Sequence, residues 1–424
     1  MNILILSGSS PFFSSGIAVY DMYKSLSDSG NKVVLLTRYY DERFDNNMFS
    51  IYNKLGSTID IMYNKIRYKF SFTRETNRRF YMHSVKYKEN YINTKIITNR
   101  IDKKIDLILY VFPHRFLTDQ NIYELSQHYK CPVLIMPADL AQITGGCHYS
   151  NECDGYTVLC GNCPGLFSKD EIDLSRKTML YKTDYVQKTD SVILGNNWQM
   201  DYINKSSLYA DKKKYNVNIV INENTFSPGN VNKIRTNYNI PIECKLIFFG
   251  ATYLDDERKG LKYLIESLQF LSETMTEIEK QKTALLIAGG IDEELLKKLP
   301  LKAYQLGRLN YQQLADAYRM ADVYVSSSIM DAGPMMVAQA MMCGTPVIAF
   351  EMGNAKDYII NGKTGIICKL ADSKSLMQGI QSFLNMGSDE INNMRNNCRN
   401  HALHLSSYNS FATRMNEIFK SLKN

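Results

Sequence analysis

The chain has 424 residues, of which 45% are hydrophobic, and carries 50 Lys and Arg against 43 Asp and Glu for a net charge of +7. That length suits two or three domains and that apolar content suits sizeable cores, which excludes a disordered or fibrous protein. The opening MNILIL run is too short for a secretory signal and lacks a basic leader, and no later apolar stretch reaches spanning length, so the expected location is cytoplasmic.

In chain order, Asn2–Leu6 reads as a buried strand, residues 8–16 as a Gly/Ser/Pro loop, Ile17–Leu26 as a helix and Lys32–Thr37 as a second strand. Strand, glycine loop, helix, strand begins a doubly wound parallel sheet. The loop's Ser14-Ser15-Gly16 lacks the spacing of a dinucleotide fingerprint. Between residues 61 and 104, cations including Lys65, Arg67, Lys69, Arg74, Arg78 and Arg79 alternate with Tyr63, Tyr68, Phe70, Phe72, Phe80 and Tyr81. Such a mixture suits an anionic bilayer surface, where cations meet phosphates and rings sit at headgroup depth. It suits single-stranded nucleic acid as well, and a solvated insertion without a ligand is the plain alternative.

Further strands are expected at Asp106–Val111, Pro132–Met136, Ser191–Gly195 and Asn218–Asn222. His114 and Asp139 stand at strand ends. Asp139 can orient a hydroxyl or act as a base, but an Asp in a loop is equally a turn-former. Four of the nine cysteines, Cys147, Cys153, Cys160 and Cys163, fall within residues 144–164 and end in a Cys-x-x-Cys. They read as candidate ligands of a structural zinc, with packed thiols or a disulfide pair as the alternatives. His148, directly after Cys147, could substitute for one thiol, although a ligand's neighbour is expected to face away from such a site.

After a polar stretch at 229–241 that reads as a linker, a second series begins with strand Lys245–Gly250, helix Leu261–Leu271 and strand Ala284–Ala288. The cluster Arg258-Lys259-Gly260 follows the first of these strands. Two adjacent cations at a sheet's mouth can neutralise a leaving diphosphate. Strand Val323–Val325 leads through Asp331-Ala-Gly-Pro334 into helix Met335–Met342, which carries Gln339. A helix start beyond a strand aims unpaired N–H groups and a positive dipole end at any anion there. The tail Ser406–Lys423 has Phe411, Met415, Ile418 and Phe419 at helical spacing.

Asp331 and Gln339 stand eight apart, and Cys343-Gly-Thr-Pro-Val follows them, a pattern that resembles the retaining family 4 glycosyltransferases of the GT-B fold. The Thr144-Gly-Gly-Cys-His-Tyr segment is similar to a cysteine-rich insertion of bacterial surface-polysaccharide members. The resemblance implies an α/β protein of two doubly wound Rossmann-like domains facing across a cleft. These would be an acceptor-side domain at 1–228 and a nucleotide-sugar domain at 242–403, with a helix at 404–424 returning to the first. It further implies a transferase that moves a sugar from a nucleoside diphosphate to a saccharide acceptor, expected to be lipid-linked, at the inner face of the membrane, with no cofactor in the chemistry.

In those terms Lys259, Arg258, Asp331 and Asp139 would serve catalysis. Gly307, Arg308, Leu309, Ala332, Gly333, Pro334, Met335, Met336 and Gln339 would hold the donor, and Ser15, Gly16 and His114 would face the acceptor. Three positions depart from the family pattern: Ala138 replaces a His, Ala251 an Arg and Gln339 an acid. The departures keep open a catalytically silent protein on the same fold, and the basic, aromatic segment keeps open a nucleic-acid-binding one.

Overall fold

The computed structural model describes residues 1–13, 16–71, 76–112, 116–254, 256–290, 292–333 and 335–422. Ser15, His114 and Pro334, together with residues 72–75 of the basic, aromatic segment, lie outside the described residues. The chain divides into two compact units, Met1–Val220 with Phe411–Asn424, and Ile221–Ser410.

The first unit holds strands β1 (Asn2–Ser7), β2 (Lys32–Thr37), β3 (Met48–Ser50), β4 (Leu107–Val111), β5 (Val133–Met136), β6 (Ser191–Gly195) and β7 (Lys213–Asn216). They form one sheet in the order β3-β2-β1-β4-β5-β6-β7, with every pairing parallel. Parallel strands covered by helices on both faces need apolar side chains on both, which is why NILIL and LILYV are unbroken runs rather than alternating ones. Ile3 lies between Val33 on one side and Leu107 on the other, so strand order reverses between β1 and β4.

The second unit holds β8 (Lys245–Tyr253), β9 (Thr283–Gly290), β10 (Lys302–Gly307), β11 (Val323–Ser326), β12 (Val347–Phe350) and β13 (Gly365–Cys368). Their order is β10-β9-β8-β11-β12-β13, again all parallel, with the reversal between β8 and β11. The expected α/β class, two doubly wound Rossmann-like sheets, is the fold this chain adopts.

Two expectations fail. Residues 218–222 form no strand, although Val220 and Ile221 are buried. The Ile221 amide donates to the Ser406 carbonyl at 2.8 Å, so its backbone is satisfied outside any ladder. The place beside β6 goes instead to the polar Lys213–Asn216, a composition that suits a sheet edge. The stretch 229–241 is likewise no free linker. It contains helix Val231–Asn237, whose N-terminus the Asn230 side chain caps by accepting from the Lys233 amide at 3.0 Å. The guanidinium of Arg235, only 3% exposed, donates to the carbonyls of Met320, Ile242 and Cys244 and to the Asp322 carboxylate, fastening the segment into the second unit. A polar composition hid a buried cation.

Candidate functional site

The reversal of strand order between β8 and β11 leaves a crevice at their C-terminal ends, the place where open α/β sheets bind ligands. The loops that leave these two strands carry the predicted charges. In the first, the Asp256 carboxylate caps a short 3₁₀ turn, Glu257–Lys259, by accepting from the Arg258 amide at 3.1 Å. Gly260 then takes φ of +64°, and helix Leu261–Thr274 begins. A Cβ at Gly260 would stand 2.0 Å from the Ser327 carbonyl oxygen, so only glycine lets the two loops approach this closely. Two bonds join them: the Ser327 hydroxyl donates to the Lys259 carbonyl at 2.8 Å, and the Ile329 amide to the Arg258 carbonyl at 2.8 Å.

This seam brings Lys259 Nζ to 2.5 Å from Asp331 Oδ2, while the Gly333 amide donates to Oδ1 at 3.2 Å. Burial pushes the Asp331 carboxyl up, but the Lys259 ammonium, the Gly333 amide and the charge of Arg258 together hold it below the usual carboxylate range. The Arg258 guanidinium itself pairs with Asp256 at 2.5 Å, a partner that sequence reading did not assign. Arg258, Lys259 and Asp331 therefore belong to one electrostatic cluster. A cavity of about 20 Å³ adjoins it, lined among others by Gly250, Ala251, Lys259 and the serines 326, 327 and 328. The serines went unread, although three hydroxyls in a row at the end of an apolar strand are a visible signal.

Helix Met335–Met342 starts just past Gly333, with Ala332 buried and Met335 and Met336 half-buried in its first turn. Gln339 is 2% exposed. Its carbonyl accepts from the Tyr318 hydroxyl at 3.3 Å and its amide donates to the Tyr311 hydroxyl at 3.4 Å. This inward anchorage explains why an amide is tolerated here: the position is satisfied by neutral phenols, among which a carboxylate would be costly. Gly307, with φ of +63°, ends β10 in open surroundings, Leu309 is half-buried, and the Arg308 guanidinium lies over the Tyr253 ring at 5.4 Å. The stack holds the exposed Arg308 near the end of β8.

In the first unit, Gly16 opens helix Gly16–Asp28, where a Cβ would lie 1.7 Å from the Ser10 carbonyl oxygen. Asp139 accepts from the Ala141 amide at 2.8 Å through Oδ1 and pairs with His148 Nδ1 at 2.7 Å through Oδ2. His148 Nε2 stands 3.1 Å from the Ser84 hydroxyl. The turn-forming role and a hydrogen-bond partner thus coincide in Asp139, and His148, expected to face away from a thiol site, is that partner. Beneath the loop, Lys182 is wholly buried and donates to the carbonyls of Ala141 at 2.6 Å and Thr144 at 2.9 Å. Burial pushes its pKa down.

Cys147, Cys153, Cys160 and Cys163 all line one cavity of about 20 Å³, with Phe80 and Met82. Burial pushes the Cys147 and Cys163 thiols up and that of Cys160 to about 12. Among the described residues, no group of three or more His, Cys, Asp or Glu side chains stands where it could hold a metal ion. Along helix Lys54–Ser71, Leu55, Ile59, Met62 and Tyr63 are exposed by 70, 59, 59 and 60%, an apolar stripe turned to solvent. No helix among the described residues is long and apolar enough to cross a membrane.

Residues 231–403, which lie within the second unit, match the family model of glycosyl transferases group 1. The chain is 29% identical over 145 residues to the phosphatidyl-myo-inositol mannosyltransferase of Mycobacterium leprae, a match covering 33% of this chain and 37% of that one. It spans well under half the length of the curated relatives it matches. Among solved structures, sucrose-phosphate synthase of Thermosynechococcus elongatus superposes with a TM-score of 0.67 at 16% identity, covering 100% of this chain and 99% of that one. Anabaena Alr3699/HepE in complex with UDP and glucose superposes with a TM-score of 0.61 at 14% identity, covering 99% of this chain and 100% of that one. Likeness over both units at such identities establishes the fold, GT-B.

Proposed function

We propose that this protein is a retaining glycosyltransferase that moves a sugar from a nucleoside-diphosphate donor to a saccharide acceptor, with lipid-linked saccharide as the acceptor class. The observation that carries the reading is the 2.5 Å contact of Lys259 with Asp331 at the reversal of strand order, just before helix Met335–Met342. In this account the diphosphate lies against the backbone of Ala332, Gly333, Met335 and Met336 at that helix start, with Pro334 kept as a donor-side proposal from the sequence alone, and Lys259 and Arg258 absorb the charge that develops as it leaves. Lys259 then exchanges part of its contact with Asp331 for phosphate oxygens, and Asp331 turns to the donor sugar's hydroxyls. Residues Gly307, Arg308 and Leu309 would take the nucleobase edge. Gln339, buried between two tyrosines, contributes to the ribose through the remaining lone pair of its carbonyl.

The reaction breaks the bond from the sugar's anomeric carbon to the diphosphate oxygen and forms one to the acceptor oxygen on the same face. The acceptor proton passes to the departing diphosphate, so no protein nucleophile is needed. Positioning and fixed charge then supply most of the rate. Asp139, held by His148, would orient the acceptor hydroxyl. Ser15, Gly16 and His114 remain acceptor-side proposals. The stripe of Leu55, Ile59, Met62 and Tyr63 beside a cationic sequence supports contact with an anionic membrane face, where a lipid-linked acceptor resides.

The test is a transfer assay with UDP-, GDP- and ADP-sugars, lipid-linked acceptors and anomeric analysis of the product. Release of a nucleoside diphosphate with a retained anomer supports the reading. Binding without turnover for every pair would favour the second reading, a silent nucleotide-binding protein, for which the inward anchorage of Gln339 and the alanine at 251 speak.

A further inference from the structure

We propose that the loops leaving β1 and β2 carry a binding face for a neutral oligosaccharide, built from Phe12, Phe13, Tyr40 and Phe44. The two strands run parallel, so both loops emerge at the carboxyl-terminal edge of the first sheet, and β1 flanks the reversal of strand order. Ligands of open α/β sheets collect at that edge. Tyr20, Phe12, Phe44 and Tyr40 follow one another as a run of rings whose centroids stand 5.3, 6.3 and 6.0 Å apart at successive steps. Phe12 and Phe44 are half-buried, whereas Tyr40 is 43% and Phe13 75% exposed. Single exposed rings are commonplace, but open rings beside a continuous run, at a ligand-binding edge, mark a contact surface.

The rings stand on closed turns. The Phe13 amide donates to the Ser10 carbonyl at 3.3 Å, and the Gly16 amide to the Phe13 carbonyl at 3.1 Å. In the second loop the Phe44 amide donates to the Asp41 carbonyl at 3.2 Å, and the Tyr40 amide to the Ser57 hydroxyl at 2.9 Å. The Arg43 guanidinium lies over the Phe12 ring at 4.4 Å and so joins one loop to the other. A face fixed beforehand loses little freedom when a ligand arrives.

The chemistry of the face selects the ligand. A pyranose ring presents weakly positive C–H groups on its faces and hydroxyls at its rim. The negative face of an aromatic ring attracts the former, and ion pairs with spare donors and acceptors suit the latter. The charges here are matched: Arg43 grips Asp41 at 2.8 and 2.6 Å, and Arg38 grips Asp60 at 2.9 and 3.1 Å. Asp45 accepts from the Tyr23 hydroxyl at 2.8 Å, and Glu42 stands 3.9 Å from Lys54. Among the described residues of the two loops, no surplus of cations is left for a carboxylate, sulfate or phosphate, which argues against an acidic sugar and against a nucleic-acid strand. A run of rings, rather than one, suits several linked sugars. In the transferase reading above, on which the place of this face in a reaction rests, the oligosaccharide held here is the acceptor.

The experiment titrates the whole protein with uncharged gluco-, galacto- and mannotrioses, with trigalacturonic acid and with oligothymidylate, followed by saturation-transfer NMR. Expected is binding of at least one uncharged trisaccharide, with strongest transfer to the protons of its C–H faces. Phe13→Ala and Tyr40→Ala, both at exposed positions, should each weaken that binding about fivefold or more. Phe13→Trp should keep it and Phe13→Leu should not, because leucine restores apolar area without a ring face. In sugar transfer, Phe13→Ala should raise the acceptor KM about fivefold or more and leave the donor KM unchanged. The proposal is overturned if no uncharged trisaccharide binds, if trigalacturonic acid or oligothymidylate binds more tightly, or if both alanine variants bind as the unaltered protein does. Ring-dependent saccharide binding in a protein that neither binds nor turns over sugar nucleotides would sink the transferase reading and leave the face standing. Transfer indifferent to Phe13 and Tyr40 would do the reverse.

Discussion

The crevice of the second unit and the cysteine loop of the first solve one problem, holding irregular chain in a fixed shape, by different means. At the crevice, a regular parallel sheet places two loops side by side, and a few backbone bonds with one glycine lock them, so that Lys259 meets Asp331. In residues 144–164 no strand does this; there the buried Lys182 ties the chain through the Ala141 and Thr144 carbonyls, beside a run of left-handed residues and four thiols that line one cavity. Sheet topology makes a site tolerant of sequence around it, whereas a site made from side chains depends on every one of them.

That contrast can be broken most forcefully at Lys259. Lys259→Ala should lower sugar transfer by about 10²–10³-fold, the loss seen when one charge-stabilising donor is removed, while the first unit's melting stays unchanged. Steady-state transfer kinetics check it, and a loss under threefold would separate this contact from the chemistry. Gly260→Ala probes the scaffold rather than the charge. Its positive φ and a Cβ 2.0 Å from the Ser327 oxygen should destabilise the second unit by about 2 kcal/mol or more, read by denaturant unfolding.

Asp331→Asn sharpens the electrostatic half of the comparison. The folded-state pKa of Asp331 lies below its ordinary value, so the carboxylate adds stability fully above the unfolded value of about 3.9 and loses it as pH falls through the lower folded value. The Asn variant should therefore lose stability at neutral pH and show a flatter acid limb in unfolding measured from pH 6 down to pH 2. The smallest effect belongs to Gly307→Ala. Its φ of +63° is as left-handed as that of Gly260, but its Cβ would meet open space, so about 1 kcal/mol of backbone strain is all that is expected. A penalty equal to that at Gly260 would contradict the seam described between the loops after β8 and β11.

Much of this architecture was legible because parallel strands advertise themselves: NILIL, KVVLL, LILYV and ALLIA are continuous apolar runs. What escaped was the polar and the inward-turned. The edge strand β7 is KKYN and has no apolar signature, and the helix Val231–Asn237 passed for a linker because its buried anchor is an arginine. At the crevice, Lys259 and Asp331 were readable from spacing and resemblance. The pairing of Arg258 with Asp256 and the lodging of Gln339 between Tyr311 and Tyr318 were not, since periodicity says nothing about which way a polar side chain turns. The bond from Asp139 to His148 joins residues nine apart through a loop without regular geometry, and only coordinates reveal it.

The central claim is that the Lys259–Asp331 crevice takes the diphosphate of a sugar nucleotide. Calorimetric or thermal-shift titration of the intact protein and of Lys259→Ala with UDP, GDP and ADP tests it most directly, because a ligand bound only by the folded form stabilises it by about 2.7 kcal/mol at one hundred times its dissociation constant. The account predicts a clear stabilisation by at least one of the three that shrinks at least tenfold in affinity in the variant. No response to any of them, or an equal response in both proteins, would contradict it.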